Sequence, residues 1–158
     1  MGYAERAVYR KPGWLRRKVN RVVAWVAGVG LTPANTVRLE VMGHKSGRVR
    51  AFAVTTATWR GERYIVSLAG ESDWVRNLRA ARGDAVIGHR HRNRVRTEEI
   101  PVSERAAVLS AYLEKRALSK SPSSAARDYF GVKPHPQLED LARIAERYPV
   151  FKILPAAP

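Results

Sequence analysis

Residues 37–68, VRLEVMGHKSGRVRAFAVTTATWRGERYIVSL, decide the fold because apolar and polar side chains alternate along three consecutive segments. In the first segment Val37, Leu39 and Val41 share one face of the chain, as a half-buried strand requires. The second segment covers 49–59 and the third covers 64–68. Successive strands joined by short turns pair in antiparallel order. The stretch therefore predicts a β-meander.

The sequence after the meander predicts two more strands, three helices and a closing strand. The predicted elements are a short helix over 73–82, strands over 85–89 and 95–102 around a turn at 91–93, a helix that begins after an N-cap at Ser103, a helix over 137–147 and a strand over 150–154. Residues 117–136, rich in serine and proline, form the loosest stretch. The fold class expected from this order is α+β, mainly antiparallel β, with the strands closed into a small barrel.

The segment before the meander predicts an amphipathic helix over 14–27, with valines on one face and arginines and lysines on the other. One domain of 1–158 is expected, comprising a basic arm and helix (1–30), a barrel core (36–102), and helices with a closing strand (103–158). The apolar run is too short to cross a bilayer, so we predict a cytoplasmic protein. The basic helix either packs on its own domain or attaches peripherally to an anionic membrane at the inner face of the cell membrane.

The charge of the chain points to an anionic partner. The net charge is +15, from 29 Lys+Arg against 14 Asp+Glu, and residues 1–60 hold 12 of the basic groups and only 2 of the acidic ones. Such a field attracts nucleic acid, an anionic membrane or a small phosphorylated ligand. The chain has no cysteine, and its 4 histidines lack the spacing of metal ligands, so no metal site is predicted.

The most informative turn is GHKSGRVR, residues 43–50, which joins the first two strands. Its glycines allow the backbone to approach an anion closely, and Ser46 and free N–H groups can donate hydrogen bonds. Lys45, Arg48 and Arg50 can add charge-assisted bonds. The turn lacks the ending and the following helix of a Walker loop. An anion cradle and a solvated basic hairpin are both consistent with this pattern.

Two motifs in this order resemble a known family. The turn at 43–50 is followed, after two strands, by a helix that carries Trp74, Asn77 and Leu78 in a Trp-x-x-Asn-Leu pattern. Over about two thirds of the chain the sequence resembles the deazaflavin-dependent nitroreductase and quinone reductase family, whose members use reduced coenzyme F-420. The resemblance implies a split β-barrel of the FMN-binding type, preceded by the amphipathic helix.

The resemblance also implies an oxidoreductase that transfers hydride from coenzyme F-420 to a quinone, an enone or another activated double bond, while the protein orients the cofactor. By matching positions, it assigns cofactor-binding roles to three groups of residues. The phosphate end would be held by His44, Lys45, Ser46 and Arg50; the deazaflavin ring would be lined by Ala51, Phe52, Ala53, Val54, Ser67, Leu68, Ala69 and Gly70; the site would be closed by Trp74, Val75 and Asn77. No catalytic residue is assigned.

Other interpretations of the same residues stay open. Trp74 could be a core aromatic, Asn77 could satisfy a turn, and Tyr112, Tyr129 and Tyr148 are more typical of structural tyrosines than of proton donors. The barrel could bind FMN, a less favoured cofactor, or a tetrapyrrole. The arginines of 90–96 suggest nucleic acid, although this is disfavoured because no aromatic side chains interleave with them. Residues 137–144 lack the aromatics of nitro-reducing members, so nitro reduction is not expected.

Overall fold

The computed structural model describes residues 36–88, 90–118, 130, 132 and 136–157. The strands are β1 (Thr36–Met42), β2 (Val49–Trp59), β3 (Glu62–Val66), β4 (Asp84–Gly88), β5 (Arg92–Glu99) and β6 (Val150–Pro155). The helices are α1 (Asp73–Ala80), α2 (Val102–Leu118) and α3 (Leu138–Ile144), and a 3-10 turn (Ala145–Arg147) follows α3. The predicted amphipathic helix over 14–27 and the basic arm lie outside the described residues.

The six strands close into one barrel in the order β1-β2-β3-β6-β5-β4, and every neighbouring pair is antiparallel. β1 lies between β2 and β4, with Leu39 opposite Phe52 on one side and Ile87 on the other. The closing strand β6 pairs with both β3 and β5, which completes the ring. The predicted α+β fold with a mainly antiparallel barrel is confirmed.

The inward side chains of the strands form one apolar core, which α1 completes. The strand members are Val37, Leu39, Val41, Val54, Ile65, Ala85, Ile87, Val95 and Phe151. From α1, Trp74, Val75 and Leu78 join the same cluster, and the Trp74 ring lies 5.8 Å from the ring of Phe151. The helix therefore packs its apolar side into the barrel, and this packing fixes where its polar residues lie.

A second apolar core lies on the outer side of β2, β3 and β6, where α2 and α3 pack. It includes Ala57, Tyr64, Val66 and Val150 from strands and Leu109, Tyr112, Leu141 and Ile144 from helices. Within it Tyr148 and Phe130 meet edge to face, with ring centroids 4.7 Å apart. Burial raises the pKa of Tyr148 to about 12, so this phenol stays protonated at neutral pH.

Several predicted boundaries are wrong. β3 covers Glu62–Val66 instead of 64–68. β5 covers Arg92–Glu99 instead of 95–102, because Arg92 is already paired with Gly88 in the β4–β5 ladder. α2 begins at Val102, so Ser103 lies inside the helix and is not its N-cap; the Glu104 N–H donates to the Pro101 carbonyl oxygen at 3.0 Å. Of the helices in the described ranges, none has the length and apolar character needed to cross a membrane.

Candidate functional site

The turn between β1 and β2 is a compact loop closed by its own backbone. The Gly43 N–H donates to the Arg48 carbonyl oxygen at 2.8 Å, and the Gly47 N–H donates to the Gly43 carbonyl oxygen at 2.9 Å. Gly47 has a φ of 63°, a conformation that side chains other than glycine disfavour. A Cβ at Gly43 would lie 3.1 Å from the Arg48 carbonyl oxygen and 2.6 Å from the rotatable Ser46 Oγ, so a larger residue would crowd this position. Both glycines therefore shape the loop.

The cations of this turn point to solvent. Lys45, Arg48 and Arg50 are exposed, and none of them pairs with an acidic group in the part of the chain that the structure describes. Ser46 is also exposed, and its Oγ accepts a hydrogen bond from the Arg48 N–H at 3.3 Å. Three positive charges on one short loop thus have no counterion among the described residues, and an anion can take that place.

Asn77 anchors the turn from behind. It lies on the buried side of α1, 4% exposed, and its Oδ1 accepts a hydrogen bond from the His44 backbone N–H at 3.1 Å. The same oxygen lies 2.6 Å from His44 Nδ1. The His44 backbone N–H shows that Asn77 Oδ1 is an acceptor. The contact between this oxygen and His44 Nδ1 is therefore a hydrogen bond only when Nδ1 carries the ring proton. The other ring nitrogen, Nε2, makes no hydrogen bond to the described residues.

The first predicted ring-lining segment alternates between the two sides of β2. Phe52 and Val54 face the barrel interior, and Val54 is buried. Ala51 and Ala53 lie on the outer side, opposite Glu40 and Arg38 of β1, and are partly exposed. Phe52 is also partly exposed, so within this segment Val54 is the one side chain that is withdrawn from solvent.

In the second predicted ring-lining segment, residues 67–70, polar groups already form hydrogen bonds with each other and with neighbouring residues. Ser67, which is 1% exposed, donates through Oγ to the Gly70 carbonyl oxygen at 2.6 Å, and that Oγ lies 3.2 Å from Ser72 Oγ. The Ser67 N–H donates to the Pro149 carbonyl oxygen and the Gly70 N–H to the Ser67 carbonyl oxygen. Leu68 packs against the second apolar core, which lies under α2 and α3, whereas Ala69 is exposed. Within this segment, Ala69 is the residue that solvent reaches most readily.

The residues predicted to close the site are mostly core residues in this structure. Trp74 is 8% exposed and Val75 is 0% exposed, and both belong to the barrel interior. The alternative interpretation of Trp74 as a core aromatic matches this position. The structure brings Asn77 and His44 together, but it places Trp74 and Val75 behind the surface. Cofactor contact by any of these residues stays a prediction.

Sequence reasoning missed a charged cluster on the outer side of β1. Glu40 is only 4% exposed although it alternates with inward residues; its carboxylate pairs with Arg38 Nη2 at 2.8 Å and with Arg92 Nη2. The signal in the sequence is Arg38-x-Glu40 on the polar side of a strand, which also fits an ordinary solvated pair. The contribution of Arg92 depends on strand order, because β4 lies between β1 and β5.

A second ion-pair network joins α1, β5 and α2. Arg79 pairs with Glu71 at 2.6 Å and with Glu99 at 2.7 Å, and Glu99 also pairs with Arg105 at 3.0 Å. The hydrogen bond from Arg79 holds the pKa of Glu99 below its usual range, and the same contacts raise the pKa of Arg79. This network ties elements together and lies apart from the turn.

The described residues also bear on metal and nucleic-acid binding. In the ranges that the structure describes, no group of three His, Asp or Glu residues could hold a metal ion. The large exposed hydrophobic side chains there are Met42, Val49, Val102 and Leu138, so an exposed aromatic platform for stacking bases is missing from these ranges. His91 is exposed, and His89 lies outside the described residues.

Comparisons with known proteins support the fold. A conserved hypothetical protein, Rv2991, from Mycobacterium tuberculosis is similar in structure, with a TM-score of 0.51 at 14% identity, over 87% of this chain and 80% of that one. The fold is a split barrel. An F-420-H2 dependent reductase (FDR-A) aligns with a TM-score of 0.47 at 16% identity over 76% of this chain and 94% of its own. A heme binding protein from Mycobacterium smegmatis aligns with a TM-score of 0.47 at 15% identity over 92% and 52%. No protein-family model and no curated protein matches the chain.

Proposed function

We propose that this protein is an oxidoreductase that uses reduced coenzyme F-420 to reduce a quinone, an enone or another activated double bond. The observation that carries the proposal is the contact between the two motifs of the resemblance. His44 of the 43–50 turn and Asn77 of the Trp-x-x-Asn-Leu helix lie 33 residues apart and share the hydrogen bonds at Asn77 Oδ1. The motifs thus form one structural unit.

The residues at the turn fit the anionic end of this cofactor. Coenzyme F-420 carries a phosphodiester and a glutamate tail, and the turn offers three exposed cations that pair with no acidic group in the described part of the chain. The exposed Ser46 hydroxyl adds a group that can donate a hydrogen bond to a phosphate oxygen. Lys45, Ser46 and Arg50 would hold the phosphate end, while His44, whose Nδ1–H is bonded to Asn77, would lie beside it. Asn77 would act through His44, as a positioning residue.

The outer side of β2 fits the flat end of the cofactor. Ala51 and Ala53 are small, partly exposed and adjacent to the cationic turn along the same strand. Small side chains leave room for a ring to approach the strand backbone. When bound, the reduced deazaflavin would supply the hydride. The chain would orient the ring and exclude water from it, and no protein nucleophile is required.

A second candidate function keeps the barrel and changes the ligand. FMN and tetrapyrroles also carry phosphate or carboxylate groups that the turn could bind. The cationic turn alone does not discriminate among these ligands, so the test must compare them directly. Nucleic acid is the third ligand to compare, because the arginines of β5 form a basic strip. Two of these arginines, Arg92 and Arg94, already lie near Glu40 and Asp84.

The test is a fluorescence titration of the full chain with oxidised coenzyme F-420, FMN and single-stranded DNA. We expect F-420 to bind most tightly. Lys45→Ala combined with Arg50→Ala should weaken F-420 binding by about 3–6 kcal/mol, since each hydrogen bond to a charged partner is worth roughly 1.5–3 kcal/mol. The charge-matched control is Arg63→Ala with Arg143→Ala, two exposed cations away from the turn.

Equally weakened F-420 binding in the control pair would mean that the turn contributes only through the net charge of the protein. Unchanged F-420 affinity in the Lys45/Arg50 pair would remove the turn from the site. Preferential binding of FMN would favour the second candidate. Activity is then measured as the oxidation of reduced F-420 by a panel of quinones and enones. Binding without oxidation of F-420 by any member of the panel would indicate a carrier or binding role.

A further inference from the structure

The Glu40 cluster combines a buried carboxylate with two guanidinium groups that come from separate strands. Arg38 lies two residues before Glu40 on β1, and Arg92 lies on β5. In the ladders, Gly88 of β4 is opposite both Arg38 and Arg92. Because glycine has no side chain, Arg92 can reach across β4 to the Glu40 carboxylate. The three side chains form one charged group on the outer surface of the barrel, with a net charge of +1.

The internal pairing leaves donors without partners. Arg38 and Arg92 each pair with the Glu40 carboxylate through Nη2, Arg38 at Oε1 and Arg92 at Oε2. Arg38 Nε is buried and has no hydrogen-bond partner. A buried N–H without an acceptor is costly, so the cluster contains an unsatisfied donor. Arg92 is 66% exposed, which leaves its other N–H groups accessible.

The cluster lies beside the surface that we assign to the deazaflavin ring. Glu40 is directly opposite Ala51, and Arg38 is directly opposite Ala53, in the β1–β2 ladder. Residues opposite each other in an antiparallel pair have Cβ atoms about 4.5–5.5 Å apart and share one face of the sheet. A molecule that stacks near Ala51 and Ala53 would therefore meet the two arginines at its edge.

We propose that Arg38 and Arg92 form a subsite for a carboxylate group of the substrate, with Glu40 as the positioning residue that holds the two guanidinium groups together. The inference rests on the proposed function for its place in the reaction, and it narrows the substrates to enones and quinones that bear a carboxylate. Guanidinium groups suit this role because they bind carboxylates through paired N–H groups. The cationic turn remains available for the cofactor.

The first experiment measures binding, without turnover. Levulinate and methyl levulinate are titrated into the full chain by ligand-observed NMR, both without cofactor and with oxidised F-420 present. These ligands differ in the carboxylate charge and in the methyl group of the ester. We expect levulinate to bind at least tenfold more tightly than its ester, and Arg92→Ala to abolish that difference. Arg94→Ala is the matched control, because Arg94 is the next outward residue of β5 and is 74% exposed. Equal binding of acid and ester, or no binding of either, overturns the subsite.

The second experiment measures reduction of 4-oxo-2-pentenoate and its methyl ester. We expect a lower KM for the acid, a loss of that preference in Arg92→Ala and Glu40→Gln, and unchanged KM for the ester. The Kd of F-420 should stay the same in both variants. A rise in the Kd of F-420 with the preference for the acid intact would mean that the two arginines bind the glutamate tail of the cofactor instead of the substrate. That result would overturn the proposal. Failure of F-420 to bind the wild type would refute the proposed function, whereas the levulinate result tests the subsite separately.

Discussion

The outer surface of the barrel has two sides with opposite chemistry. On the helix side, apolar outward residues of β2, β3 and β6 lie under α2 and α3, as Ala57, Tyr64 and Val150 illustrate. On the charged side, the outward residues of β1 and β5 include Arg38, Glu40 and Arg92, and neither apolar cluster of the described residues contains an outward residue of β1, β4 or β5. Strands of one barrel thus serve packing on one side and polar contacts on the other.

This difference separates stability from binding. Burial of apolar area on the helix side contributes to the free energy of folding, at about 25 cal/mol per Å². An exposed ion pair on the charged side, such as Arg94–Asp84, contributes little to folding, about 0–1 kcal/mol. Around the buried Glu40, the Arg92 side chain is 66% exposed, so its remaining N–H groups are available for ligands. Substitutions on the two sides should therefore change different measured quantities.

The largest effect is expected for Leu109→Ala in the helix-side core. Leu109 is 0% exposed, so its removal leaves a cavity and should lower the free energy of unfolding by about 2–5 kcal/mol. F-420 affinity should stay unchanged where the variant is folded. Urea denaturation measures the first quantity. The control is Leu138→Ala, at a side chain that is 57% exposed, where a change within about 0.5 kcal/mol is expected. A large loss of F-420 affinity in folded Leu109→Ala protein would show that the helix side also contributes to binding.

A somewhat smaller effect is expected for Arg105→Met. Arg105 is 6% exposed and donates to the carbonyl oxygens of Ile100 and Ala145 as well as to Glu99. Methionine preserves much of the volume but removes all of these hydrogen bonds from a buried position, at a cost of about 3 kcal/mol. Arg143→Met, at an arginine 77% exposed, should change stability by less than about 0.5 kcal/mol. Similar unfolding midpoints for the two variants would contradict a stabilising role for Arg105.

The sequence was sufficient to predict the barrel because its signals are local. Alternation of Val37, Leu39 and Val41 with polar residues requires one buried face, and the short turns fix the antiparallel order. The turn at 43–50 was also predictable, since its glycines and cations are adjacent in the chain. Ser103 was assigned as an N-cap because its side chain is suited to that position, yet the chain enters the helix one residue earlier, at Val102.

The Glu40 cluster was not predictable because it depends on which strands are neighbours. Arg92 contacts Glu40 only because β4 lies between β1 and β5 and carries Gly88 at the crossing point. The position of Trp74 was not predictable for a different reason: the motif does not show which side of a short helix faces the core. The structure places this ring against Phe151, 5.8 Å away, inside the barrel.

A still smaller effect, on affinity more than on stability, is expected for Asn77→Ala. The substitution removes the acceptor of the His44 backbone N–H and frees the turn from α1. F-420 affinity should fall about tenfold, equivalent to ~1.4 kcal/mol, because the cations must then be ordered on binding. Asn77→Asp keeps the acceptor and is the matched variant; its added negative charge should make its affinity intermediate. The titration used above measures both variants. An Asn77→Ala protein with wild-type affinity would show that the turn needs no anchor.

The smallest effect is expected at low pH, where Glu99 links the charged network to the helix side. Its pKa is lowered from the ordinary value of 4.5, chiefly by the hydrogen bond from Arg79, so the folded state favours the carboxylate. The stability that Glu99 contributes is therefore present above pH 4.5 and is lost as the pH falls through its lower pKa in the folded state. Urea midpoints measured between pH 7 and pH 3 should fall more steeply for the wild type than for Glu99→Gln, and the two proteins should converge at the acid end. Parallel curves would mean that Arg79 and Arg105 do not stabilise the charged form, which would leave the helix side dependent on apolar packing alone.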